Sequence, residues 1–91
     1  MLKRLWLDQK GRCALTGDVL QPGVNASLDH IVPRSKDGQS IAKNLQWVLL
    51  SVNVAKQELD VVEFVELCRK ITSHASERLN IIANNEIEGV H

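Results

Sequence analysis

Five polar residues could do chemistry together: Asp29, His30, Asn44, Asn53 and Lys56. Each sits in an apolar setting or at the end of an extended segment. Aspartate supplies a hard anionic oxygen and asparagine a neutral amide oxygen. Oxygen-only ligation with few protein ligands suits Mg²⁺ or Mn²⁺, which keep several waters and draw the rest of their shell from phosphate. A neutral imidazole beside such a metal can take a proton from water at about pH 7. Asn53 and Lys56 stand at i and i+3, so a helix places a ligand and a phosphate-neutralising cation on one face. These are the parts that metal-assisted phosphodiester cleavage requires.

Every one of these residues also has a plainer reading. A histidine after a strand residue is commonly a surface or hydrogen-bonded structural group. Asn44 can cap a strand or turn, and Lys56 can be a solvated helix residue. Arg34 and Lys36 either contact backbone phosphates or solvate their loop. Cys13 reads as a buried thiol, His74 and His91 as surface residues, and Trp6 and Trp47 as core rather than base-stacking platforms.

The elements that must position the five follow from local pattern. In LDHIVPRSKDG, residues 28–38, the segment NASLDHIVP is extended and Pro33 biases Val32 away from helix. On a strand Asp29 and His30 point to opposite faces, so the two can serve different jobs. RSKDGQSIAKN is a polar loop. NLQWVLLSVNVAKQEL fits either a helical stripe or a strand LQWVL, and Ser51 can cap a helix beginning near Val52. Upstream, Leu2, Leu5 and Trp6 stand at helical spacing with Gly11 able to end the helix. CALTGDVLQPG is turn-rich, with room for a short hairpin. Downstream, Asp60 and Glu63 form a capping-box pattern. Val61, Phe64, Val65, Cys68 and Ile71 line one helix face, which makes Cys68 a core residue and predicts that the helix packs beneath the site. Ser76 to Asn84 adds a last helical piece, and NNEIEGVH reads as a loose end.

Ninety-one residues make one domain, 1–91, with a modest core. No segment is long and apolar enough to span a bilayer, and Asp8 and Lys10 follow Met1 too soon for a signal peptide. A soluble, intracellular, cytoplasmic chain is the expectation. The net charge of zero hides an asymmetry: residues 1–56 carry eight Lys/Arg against four Asp, and the remainder three basic against seven acidic residues. The first part can therefore offer a face to a polyanion. Cys13 and Cys68 are far apart and neither sits in a CxxC pair, so a Cys-ligated zinc is not expected.

LDHIVPRSKDG, then NLQWV, then NVAK resembles the HNH endonuclease motif on the ββα-metal fold, in a zinc-free variant with asparagine at the third position. The resemblance covers about residues 13–57. It implies an α+β fold: a small ββα-metal core with flanking N-terminal and C-terminal helices, the latter over about 60–84. It assigns NLQWV to the second strand and SVNVAKQ to the start of the metal-site helix. By this resemblance His30 is the general base, Asp29 and Asn53 hold one divalent cation, Mg²⁺ or Mn²⁺, and Asn44 steadies the loop between the strands. Lys56 matches a frequent basic position near the phosphate, with Arg34 and Lys36 as further nucleic-acid contacts. DNA is the implied substrate. A non-catalytic nucleic-acid- or protein-binding module on the same fold is the alternative. Many relatives bind a structural zinc through two CxxC pairs. Here Cys13 is followed by Ala-Leu-Thr, so Trp6, Trp47 and the flanking helices are expected to supply stability without zinc. With no net positive charge, a larger protein assembly or a homodimer is expected to add affinity for DNA, with no membrane involved. Asp29→Ala is expected to abolish cleavage and leave the fold intact.

Overall fold

The computed structural model describes residues 1–89, with side chains through Asn80. It is a small α+β protein with three α-helices and one two-stranded antiparallel sheet. The chain runs α1 (Leu2–Asp8), β1 (Ala26–His30), β2 (Leu45–Leu49), α2 (Leu50–Lys56) and α3 (Val61–Gly89), with single 3₁₀ turns at Arg34–Lys36 and Ala42–Asn44. This β-β-α order is compatible with a ββα core. Its contacts divide it into two compact units, Met1–Val61 and a second that begins at Val62.

The first unit is built around the hairpin. The register pairs Ser27 with Val48, Asp29 with Gln46 and His30 with Leu45. Cross-strand partners share a face, so Ser27, Asp29, Gln46 and Val48 lie together, and Leu28, His30, Leu45 and Trp47 occupy the other face. β2 is rich in the apolar and aromatic types that fit a half-buried sheet. Its outer edge is met by Gln9, whose side chain accepts from the Trp47 amide at 2.8 Å and donates to the Trp47 carbonyl at 2.9 Å. Trp6 on α1 stacks edge-on against Trp47, ring centroids 5.5 Å apart. Cys13, Leu20 and Val48 form the buried cluster, with Trp6, Leu15, Trp47 and Val52 packed around it. The stretch expected to hold a short hairpin has a single antiparallel bridge, Arg12 to Val19.

Cys13 lies inside this cluster and its sulfur accepts the Leu49 amide at 3.3 Å. Burial pushes the thiol up. The Thr16 side chain and the backbone of Leu49, Leu15 and Thr16 hydrogen-bond to it and outweigh that effect, so its pKa lies below the ordinary thiol value.

Three sequence expectations are corrected. α2 begins at Leu50, with Ser51 inside it and no side-chain cap. The Leu50 amide is taken instead by the Asn25 carbonyl at 2.7 Å, so the helix starts directly off β2. α3 is one continuous helix of 29 residues, so Asn84–Gly89 is helical rather than a loose end. Cys68 is exposed, not core, as are Val62, Val65, Leu67, Ile71 and Leu79. An amphipathic stripe fixes which side of a helix is apolar; it does not fix whether that side is covered. His91 lies outside the described residues. Among the described residues no helix is long and apolar enough to cross a membrane.

Candidate functional site

All five residues singled out by their chemistry lie in the first unit, and four of them line one cavity. Asp29, His30, Asn53 and Lys56 share a solvent-open cavity of about 340 Å³ whose wall also includes Arg34, Ser35 and Glu58. The fifth, Asn44, stands behind it and holds the loop that carries the cavity's rim. Its side-chain oxygen accepts from the Val32 amide at 2.9 Å, and its nitrogen donates to the carbonyls of Gln39 at 2.8 Å and Val32 at 3.1 Å. Its own carbonyl accepts from Ile31 at 2.8 Å. The loop closes only with glycine at position 38: a Cβ there would lie 1.8 Å from the Val32 carbonyl oxygen.

Strand alternation separates the Asp-His pair. Asp29 points beneath α2 and is 4% exposed. Its carboxylate is held at both oxygens: Lys56 Nζ lies 3.1 Å from Oδ1, and Gln46 Nε2 donates to Oδ2 at 2.9 Å. Half-buried His30 turns to the other face, where Nε2 meets Ser40 Oγ at 2.9 Å. Asn53, one α2 turn before Lys56, donates from Nδ2 to Ser27 Oγ at 2.7 Å and to the Leu28 carbonyl at 3.3 Å. These bonds leave Oδ1 as the end of the amide that can act as a ligand.

Lys56 is not the solvated helix residue of the plainer reading. It is 1% exposed, and Nζ also donates to the His30 carbonyl at 2.9 Å. A fully buried lysine requires this kind of pairing. Asn53 and Lys56 do share a helix face, as their spacing predicts, but that face is turned onto β1. Arg34 is exposed at the cavity wall, on the first of the 3₁₀ turns; Lys36, on the same turn, is exposed and outside the cavity.

The residue types suit a hard cation. Asp29 and Asn53 offer oxygen, each carboxylate oxygen of Asp29 has lone-pair capacity beyond the one bond it accepts, and the adjoining cavity has room for water. Among the described residues no three His, Cys, Asp or Glu side chains converge. One carboxylate and one amide form a smaller set than that, which solvent and phosphate would have to complete. The fit carries one condition: Lys56 already occupies Asp29.

Sequence reasoning missed Gln46 and Ser40, the partners of Asp29 and His30. Gln46 had a signal, as the single polar residue within LQWVL. Ser40 had none, because its approach to His30 depends on a loop closed by Asn44. Ser35 and Glu58, hydrogen-bonded to each other at the cavity wall, were likewise not singled out. No protein-family model matches the chain, and no curated protein matches its sequence.

Proposed function

We propose that this chain is a divalent-metal-dependent endonuclease of the HNH type, hydrolysing DNA phosphodiester bonds on a ββα core. The observation that carries the reading is the gathering of Asp29, His30, Asn53 and Lys56 around one solvent-open cavity. His30 accepts a proton from the attacking water, and its Ser40 contact orients the ring. Asn44 keeps His30 at the rim by closing the loop behind it. Asp29 and Asn53 are the residues that would hold Mg²⁺ or Mn²⁺, and the metal would supply Lewis acidity at the phosphate. Exposed Arg34 and Lys36 offer positive charge to the DNA backbone.

The alternative, a binding module without catalysis, also has an observation in its favour. The Asp29 carboxylate is already neutralised by Lys56, as it would be in a purely structural role. Single-turnover nicking of supercoiled plasmid separates the two. Wild type is expected to nick with Mg²⁺ or Mn²⁺. His30→Ala is expected to lose about 10² to 10⁴ in rate. Chelation is expected to stop cleavage and leave the thermal unfolding transition in place. Equal rates for wild type and His30→Ala at every pH would remove His30 from the mechanism. No cleavage by wild type on any DNA form would favour the binding module.

A further inference from the structure

Lys56 raises a question that the endonuclease reading leaves open. A cation placed on Asp29 would meet an ammonium group already there, 3.1 Å from Oδ1 and screened from solvent. Lys56 and Asp29 are 1% and 4% exposed at their side chains. Two cations sharing one carboxylate at this depth repel strongly, because little water intervenes to screen them. Their joint occupancy of Asp29 is therefore disfavoured.

Resting on the proposed metal site, we infer that Lys56 is its resident counter-cation: ammonium and divalent metal exclude each other at Asp29, and metal entry turns Lys56 out into the cavity. Three features support this. Lys56 is the last residue of α2, where a change in side-chain direction leaves the helix ladder intact. Its stem is flexible and its charge compact, so it can leave a carboxylate with less loss of geometry than a bidentate arginine. The cavity beside it is open and contains the carboxylate of Glu58, which tempers the charge of an ammonium that moves there. The displaced Lys56 then faces the space that a DNA phosphate would enter. Metal binding thereby converts a structural lysine into a phosphate contact, and a metal-free site keeps its carboxylate neutralised.

Gln46 completes the device. Its amide holds Oδ2, the oxygen that Lys56 does not take, so Asp29 stays aimed while its other partner changes. Gln46 is a positioning residue in this scheme. A departing Lys56 also gives up its bond to the His30 carbonyl, while the His30 ring, on the opposite face of β1, keeps its contact with Ser40.

The test measures Mn²⁺ binding by the spin-resonance signal of free Mn²⁺, with no DNA present. Lys56→Gln can still donate to Asp29 but carries no charge; Lys56→Met removes the donor too. Circular dichroism establishes that each variant is folded. Both variants are expected to bind Mn²⁺ at least about tenfold more tightly than wild type, the penalty of a competent state populated at about a tenth or less. In wild type, acylation of lysines followed by mass spectrometry provides a second readout. Lys56 is expected to be protected in chelator and to become reactive with Mn²⁺, while exposed Lys43 reacts in both. If wild type binds Mn²⁺ and the folded variants bind no more tightly, or if Lys56 stays protected in the loaded protein, the exclusion is overturned and the metal site stands. If neither wild type nor the variants bind Mn²⁺, the metal site itself fails and the exclusion with it.

Discussion

Val48 and Gln46 are two residues apart on one face of β2, yet they meet opposite chemistries. Val48 is fully buried against Cys13 and Leu20. Gln46 is 8% exposed and donates to a carboxylate paired with a buried ammonium. The apolar end gains free energy by removing surface from water, an effect without direction that scales with area. The ionic end gains little. Desolvating two charges offsets most of their attraction, so a buried pair is weak evidence for stability. It is nevertheless well satisfied: among the described residues no buried side-chain nitrogen or oxygen lacks a partner. One end of the face therefore holds the hairpin together, and the other holds charged groups in place beside a cavity.

The largest expected effect comes from breaking the ionic end on one side only. Asp29→Ala leaves the Lys56 ammonium buried without its counter-charge. The expected loss is about 3–5 kcal/mol, which is a large part of the roughly 5–15 kcal/mol that a small domain has. The sequence alone led to the expectation that this variant would keep its fold; the burial of the pair reverses that expectation. Replacing both partners, Asp29→Leu with Lys56→Met, is expected to restore most of the loss, because an apolar pair has no desolvation penalty. Urea denaturation followed by circular dichroism measures both. A loss under about 1 kcal/mol for Asp29→Ala, the range of exposed pairs, would show that the pair is solvated and that the two ends of the face do not differ.

At the apolar end the expected effect is smaller and graded. Val48→Ala removes two methyl groups from the Cys13–Leu20 cluster, at a cost of about 2 kcal/mol. The same denaturation experiment reads it, and the cost should be the same with Mn²⁺ present or absent, since Val48 has no group that can ligate a metal. A cost below about 0.5 kcal/mol, the range usual for surface positions, would show that Val48 is not the core of this hairpin.

The sequence made the scaffold of this contrast readable and hid its chemistry. Period-two alternation placed β1 and turned Asp29 and His30 to opposite faces, and this is how they lie. The same rule could not say what either would touch. Gln46 faces Asp29 only because the register pairs 29 with 46; a slip of one residue would have sent Gln46 to the other face. Register depends on Asn25, Gln9 and the Asn44 loop, all long-range bonds with no local signature. The burial of Lys56 was hidden for a different reason. Lysines are rarely buried, so its type argued for solvent, and only the carboxylate across the α2–β1 contact argued against it. In α3 the capping pattern and apolar stripe revealed a helix, but not that it runs unbroken to Gly89 or that Cys68 is exposed.

The smallest expected effect tests whether strain, too, belongs to the ionic end. Gln57 follows Lys56 directly and has φ 48° and ψ −123°. The Leu59 amide donates to the Lys56 carbonyl at 3.1 Å, closing a four-residue turn with Gln57 at its first central position. Those angles are those of a type II′ turn, where a Cβ is disfavoured and glycine is the usual residue. Strain of this kind costs about 1–3 kcal/mol and tends to persist where neighbouring groups must be held in place. Here the turn fixes two cavity residues at once, Lys56 before it and Glu58 after it. Glycine would relieve the strain but add chain entropy to the unfolded state, which offsets part of the gain. Gln57→Gly is therefore expected to raise stability by about 1 kcal/mol, or Tm by roughly 4–8 °C for a domain of this size. A thermal scan decides it. A fall in Tm would mean that the Gln57 side chain contributes more than its backbone costs, and the strain would no longer mark the ionic end of the face.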